Sequence, residues 1–255
     1  MNTYVAREFD VDFIYLDFIF TAIWIVLLWR QKHMLALKFG LAGALITFLA
    51  DDVWMYHIQE TRIIDAPFSP DLYLACGSFT AGMVMFSYVI VMFSATKTST
   101  KVLWTAFLYL GWGAIAFLSQ WIPLDDRLIT MVRDMSDIPA FQIGMVVGGY
   151  ILLVILKYRW KYMKPLTWPR IAYLFLVGFL IIFAMEFTLW ISGIRPAEGA
   201  VDVLIFNSFI QFNVGIPVLY IVWTFITRVR TIEQLGQITS DTPAAPDNEK
   251  EITLC

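Results

Sequence analysis

Three carboxylic acids in apolar surroundings are the residues best suited to chemistry. Asp51 and Asp52 are adjacent, and Glu186 has apolar neighbours and no basic residue close in sequence. An ionised side chain in hydrocarbon is costly, so such acids usually face a cavity or a partner. Burial disfavours the charged form of a carboxyl group, and a protonated acid facing an ionised one is the arrangement that general acid–base catalysis requires. We predict Asp51, Asp52 and Glu186 as catalytic residues.

Further polar and aromatic residues fall at similar depth in the same segments. Asn207 and Gln211 are four residues apart and share one helix face. Aromatic rings can stabilise a cationic intermediate. The predicted substrate-binding residues are Asp17, Trp54, Tyr56, His57, Trp112, Trp190, Asn207, Gln211 and Asn213. The same patterns are also typical of carboxylates at headgroup level, of hydrogen bonds between helices and of interfacial aromatic belts.

The composition indicates the elements that must position these residues. Of the 255 residues, 59% are hydrophobic and 15% are charged, and the mean hydropathy is +0.70. These values exclude a soluble enzyme, a disordered protein and a disulfide-stapled secreted domain. Seven stretches are long and apolar enough to cross a bilayer as helices: 11–30, 35–56, 72–95, 102–122, 139–159, 171–194 and 200–227. The predicted fold is an all-α bundle of seven transmembrane helices.

Basic residues predict the orientation of the bundle. Of the 18 lysine and arginine residues, 13 fall on one side of the predicted spans and 5 on the other. Positive charge stays in the cytoplasm, so the N-terminus is predicted outside and the C-terminus inside. The acids and amides then lie mostly in the outer half. The inner half is almost entirely apolar or aromatic, so one cavity in the outer half, closed toward the cytoplasm, is expected.

The chain is expected to divide into a membrane domain, 1–231, and a disordered acidic cytoplasmic tail, 232–255. The charged residues before the first span are mostly acidic, and no small-residue cleavage site follows this span. The first span is therefore predicted to remain in the protein and not to be a cleaved signal peptide. The expected location is a plasma or endoplasmic reticulum membrane. Pro217 should kink the last span, because it cannot donate a hydrogen bond to the carbonyl of Asn213.

Several chemistries are excluded by residues that the sequence lacks. The two histidines, His33 and His57, fall on opposite sides of the predicted bundle, which excludes a bis-histidine haem and a histidine-built zinc or iron centre. The last span has no lysine for a retinal Schiff base, and glycine-rich phosphate loops are absent. We therefore predict no cofactor and no metal. A net charge of -3 gives no reason to expect a nucleic-acid partner. A lipophilic small molecule and membrane lipid are the predicted partners.

The segment Ala50-Asp51-Asp52-Val53-Trp54-Met55-Tyr56 resembles a motif of the transmembrane terpene cyclases of fungal meroterpenoid and indole-diterpene pathways. That family has a glutamate beside tryptophan and tyrosine at the outer end of the second of seven helices. Here the acid is aspartate, the order of acid and tryptophan is reversed, and Asn207, Gln211 and Asn213 stand where the family carries a helix-seven aspartate. The resemblance implies terpene cyclisation, with Asp51 or Asp52 protonating an isoprenoid epoxide or alkene and Glu186 supplying the second carboxylate.

Three function classes stay open at this point. The first is a membrane enzyme that acts on a lipophilic, isoprenoid-like substrate by carboxylate acid–base chemistry. The second is a transporter or channel for a small solute, which would need polar groups through both halves of the membrane. The third is a seven-helix ligand-binding sensor or accessory subunit, whose tail would contact a cytoplasmic partner.

Overall fold

A computed structural model describes residues 4–134, 138–196 and 200–240. The chain is mainly helical. Within these ranges there are eight α-helices: Asp12–Arg30 (α1), Met34–Phe48 (α2), Pro70–Ser94 (α3), Thr98–Leu118 (α4), Ile138–Arg159 (α5), Trp168–Ile191 (α6), Ala200–Ile210 (α7) and Ile216–Ser240 (α8). A π-helical segment, Leu49–Ile58, continues α2 directly and is called the π segment below.

Among the described residues, six helices are long and apolar enough to span a membrane, which supports the prediction of a membrane protein. Five of them are α1, α3, α4, α5 and α6, and the sixth joins α2 to the π segment. The seventh predicted span, 200–227, is not one continuous helix but two shorter apolar ones, and it is not among the six long helices. The chain leaves helical geometry between α7 and α8, at residues 211–215. Gly215 and Pro217 explain this break, because glycine weakens a helix interior and proline suits a helix start.

Three short β-strands correct the prediction of an all-α fold. Strands Tyr4–Asp10 (β1), Arg62–Asp65 (β2) and Leu128–Asp134 (β3) form one antiparallel sheet in the order β1-β3-β2. The strands have four to seven residues; β1 precedes α1, and β2 and β3 lie in connections between helices. Their pairing depends on segments far apart in sequence, which local periodicity does not reveal. The sheet closes one end of the helical bundle.

One face of the sheet packs on the bundle. Along β3, Ile129, Met131 and Arg133 are buried while the residues between them are partly open, as expected for side chains that alternate between the faces of a strand. Phe9 of β1 belongs to the same apolar cluster as Ile129 and Met131. The backbone N–H of Glu8 donates to the carbonyl of Ile194, 3.0 Å away, which attaches the loop after α6 to β1.

The tightest helix packing is between α2 and α3. A Cβ atom added at Gly82 would lie 2.5 Å from the Cα of Ala44, and one added at Gly43 would lie 2.3 Å from the Phe86 ring. Backbones approach this closely in membranes where small residues line the interface. This contact fixes the π segment, which follows α2, against the start of α3.

The C-terminal region differs in part from its predicted boundary. Helix α8 continues to Ser240, so residues 232–240 of the predicted disordered tail are helical. Residues 241–255 lie outside the described part of the chain.

Gly82→Ala should destabilise the protein by about 1–3 kcal/mol, because the new methyl group meets rigid backbone of α2. Gly148→Ala is the control: it adds the same group to α5, where no heavy atom lies within 4 Å. Since alanine favours helices over glycine, the control should be neutral or slightly stabilised. Thermal unfolding of both variants in detergent measures the difference. Equal unfolding temperatures would contradict the close α2–α3 contact.

Candidate functional site

Two adjoining cavities lie beneath the sheet. The larger, about 360 Å³, is called the arginine cavity, because Arg7, Arg62, Arg133 and Arg195 line it together with Asp51, Asn207 and Gln211. Its remaining wall is mostly aliphatic, methionine and small residues, with Tyr73, Phe86 and Phe212 as its aromatic members. The smaller, about 110 Å³, is called the side chamber. Arg7, Tyr73 and Met185 line both cavities.

The arginine cavity reaches from the sheet into the bundle. Its lining residues on α3 extend from Tyr73 to Phe86, about 20 Å along a helix axis. Farther along α3, Tyr88 and Val89 are completely buried in the main hydrophobic core, with Leu174 of α6. The polar end of the cavity is therefore at the sheet and its apolar end lies against a packed core.

Glu186 anchors two of the four arginines. Its side chain is completely buried behind the wall of the arginine cavity. One carboxylate oxygen accepts a hydrogen bond from Arg195, and the other accepts from Arg7 at 3.3 Å and from Asn207 Nδ2 at 2.9 Å. A buried carboxylate requires such charge and hydrogen-bond compensation. Glu186 thus draws β1, α7 and the loop after α6 together.

Asp51 forms an ion pair with a third cavity arginine, Arg62. The π segment directs its carboxylate into the arginine cavity, where Arg62 Nη2 of β2 donates to it at 2.6 Å. Arg133 of β3 stands directly across from Arg62 in the sheet register. Like charges on opposed strand positions are destabilising, and Asp51 supplies only one negative charge beside this pair.

Three of these guanidinium groups are buried with unused donors. Arg62, Arg133 and Arg195 are 9%, 8% and 4% exposed, and the Nε of each has no hydrogen-bond partner. Among the described residues, Arg133 has no carboxylate within ion-pair distance. Burial, with the charges of Arg62 and Arg7, lowers the pKa of Arg133 to about 10, and burial also lowers the pKa of Arg195 to about 10. Both groups therefore stay charged at neutral pH.

The side chamber contains a different acid. Asp17 of α1 lines it and accepts a hydrogen bond from Thr80 Oγ1 of α3 at 2.5 Å. Trp112 forms part of the same wall, with Phe9 and Phe13. Within the described ranges, no arginine, lysine or histidine forms an ion pair with Asp17.

The other predicted site residues lie elsewhere. Asp52 turns away from both cavities toward His57, which is more than half exposed. Trp54 is largely exposed, and neither it, Tyr56 nor Trp190 lines either cavity. Asn213 is completely buried in the break before α8, where it accepts from Tyr150 Oη at 2.9 Å and donates to the Phe209 carbonyl at 3.0 Å.

The four arginines of the cavity were not predicted as site residues, although the sequence contains a signal for them. The five basic residues on the predicted outer side are all arginine, and all eight lysines fall on the other side. Arginine is the residue that suits buried ion pairs and bidentate recognition of anions, because its guanidinium is planar and always charged. The fifth outer arginine, Arg127, lies outside the cavity and pairs with Asp125 at 2.7 Å.

No protein-family model, curated protein or solved structure matches the chain.

Glu186→Gln should destabilise the protein by about 3–5 kcal/mol, because it leaves buried guanidinium groups without their anion. Asp125→Asn is the matched control, since it removes the anion of an arginine pair at the exposed rim. Thermal unfolding in detergent should show a large loss for the first variant and a small one for the second. Similar losses for the two variants would refute the anchoring role of Glu186.

Proposed function

We propose that this protein is an integral membrane protein that binds a lipophilic molecule carrying an anionic group. The observation that carries the proposal is the arginine cavity, which has four guanidinium groups at one end and an apolar wall along the rest. An amphiphile with a negatively charged end matches both parts.

The charge balance of the cavity supports an anion. Among the described residues, its lining has four guanidinium groups and one carboxylate, Asp51, and Glu186 adds a second carboxylate behind the wall. Two positive charges therefore remain uncompensated by these groups. Buried charges are normally paired, and the guanidinium groups that line the cavity can donate hydrogen bonds to oxygen atoms. Phosphate, diphosphate and carboxylate groups supply such oxygens.

The apolar part of the cavity supports a lipophilic remainder. Ala81, Met85 and Phe86 of α3 and Leu219 of α8 line its inner end. With the N-terminus outside, as the positive-inside rule predicts, the sheet covers the outer end and the arginines lie at headgroup depth. The ligand would then enter from the outer leaflet, keep its charged end at the sheet and place its chain between α2, α3 and α8.

This proposal predicts that purified protein binds dodecyl phosphate more tightly than dodecanol or dodecylamine. Arg133→Gln should weaken dodecyl phosphate binding at least about tenfold, because charge-assisted hydrogen bonds contribute about 1.5–3 kcal/mol each. Titration calorimetry in a non-ionic detergent measures the affinities.

Arg127→Gln is the control for that experiment, because it removes an outer arginine that lies outside the cavity. Its affinity for dodecyl phosphate should equal that of the unsubstituted protein. No preference for the anionic compound, or equal weakening by Arg133→Gln and Arg127→Gln, would refute the proposed anion site.

A membrane enzyme with carboxylate chemistry is the second candidate, and the side chamber is the observation that favours it. Asp17 sits beside an aromatic wall, next to the arginine cavity and without an ion-pair partner among the described residues. Asp51 and Glu186, by contrast, already neutralise arginines. For isoprenoid chemistry of the kind that the resemblance implies, we therefore assign proton transfer to Asp17 and leave ligand orientation to Asn207 and Gln211.

Under this second candidate, Asp17→Asn should abolish conversion of a polyprenyl phosphate or polyprenyl epoxide while leaving dodecyl phosphate affinity unchanged. Thr80→Val should give an intermediate rate, because it removes the hydrogen-bond donor to the carboxyl group. Product analysis by mass spectrometry measures both rates. An Asp17→Asn protein that converts the compound at the unsubstituted rate would rule out this assignment.

A further inference from the structure

We propose that Asp52, His57 and Asp71 form a binding site for a divalent transition-metal ion, with Zn²⁺ as the ion that suits this ligand set. Their candidate ligand atoms all lie within 4.8 Å of one another. The site is separate from the arginine cavity, which none of the three residues lines, and it does not depend on the function proposed above.

The π segment brings two of the three ligands together. Asp52 and His57 are five residues apart, which in an α-helix would place them about 140° apart around the axis. A π-helix closes its hydrogen bonds between residues five apart, so these positions face the same side. His57 Nε2 accordingly lies 3.8 Å from Asp52 Oδ1. The first turn of α3 supplies Asp71, whose Oδ1 lies 2.8 Å from the same nitrogen.

An unpartnered buried oxygen points to a ligand. Asp52 is 4% exposed, and its Oδ1 has no hydrogen-bond partner within the described part of the chain. A buried polar atom left without a partner is costly. The hydrogen bond between His57 and Asp71 accounts for two members of the cluster and leaves this oxygen unexplained. A cation among the three groups would compensate it.

The chemistry and spacing of the ligands favour zinc. One imidazole nitrogen and two carboxylate oxygens form a mixed set that zinc accepts at about 2.0–2.2 Å, with water completing a tetrahedron. Tetrahedral ligands at that distance are about 3.4 Å apart. The observed separations therefore need adjustments of about 1 Å, which the half-exposed side chains of His57 and Asp71 permit. The sequence-based prediction of no metal considered only centres built from several histidines. The site proposed here uses a single histidine, His57.

A calorimetric titration of the metal-free, full-length protein with ZnCl₂ tests the proposal. We expect one zinc ion per chain and an affinity that falls at least about tenfold in His57→Ala and in Asp71→Asn, since even second-shell substitutions cost that much. His33→Ala removes the other histidine and should bind zinc unchanged. The two substituted ligands, His57 and Asp71, are more than half exposed, so their variants should keep the unfolding temperature of the metal-free protein.

Cobalt provides a second measurement on the same proteins. Co²⁺ bound to the unsubstituted chain should show the intense visible absorption of a four-coordinate site, and His57→Ala should lose it. Failure to bind zinc would overturn the proposal. So would zinc binding that His57→Ala and Asp71→Asn leave intact.

Discussion

The burial of Glu186 is the constraint on which the sheet end of the molecule depends. A carboxylate without solvent exposure requires compensation, and in this fold Arg195, Arg7 and Asn207 provide it. These partners come from the loop after α6, from β1 and from α7. One side chain on α6 therefore determines where three separate parts of the chain meet. The neighbouring pair of Asp51 and Arg62 does the same for the π segment and β2.

The sheet turns these local ion pairs into a cavity. Strands β1, β3 and β2 each direct one arginine toward the bundle, and the register sets Arg62 opposite Arg133. The fold thus places two positive charges, those of Arg62 and Arg133, close enough to repel each other. Backbone and apolar side chains then shield both charges from solvent. Among the described residues, Arg133 has no carboxylate within ion-pair distance, and its buried Nε has no hydrogen-bond partner. This excess of cationic donors is the physical basis of the proposed anionic ligand.

The helical framework was largely predictable from sequence, because apolar stretches of membrane length are a strong signal. The depth of Asp51, Glu186, Asn207 and Gln211 was predictable for the same reason, and these residues do gather at one end of the bundle. The sheet was not predictable, since strands of four to seven residues carry little periodicity and pair with segments far away in sequence. Which of Asp51 and Asp52 faces the arginine cavity was also hidden, because the sequence does not show how a helix is rotated within the bundle. The arginines were counted as topology signals, although the absence of lysine among them indicated a separate role.

The most direct test of the central claim is to identify what the purified protein carries in its arginine cavity. The full chain is isolated in non-ionic detergent, extracted with organic solvent and analysed by mass spectrometry, alongside the Arg62→Gln/Arg133→Gln double variant and Arg127→Gln. If the arginine cavity binds an anionic lipophile, the unsubstituted protein and Arg127→Gln should each contain this compound in stoichiometric amount. The double variant should have lost it. A neutral or zwitterionic lipid alone, or the same anion retained without both arginines, would contradict it.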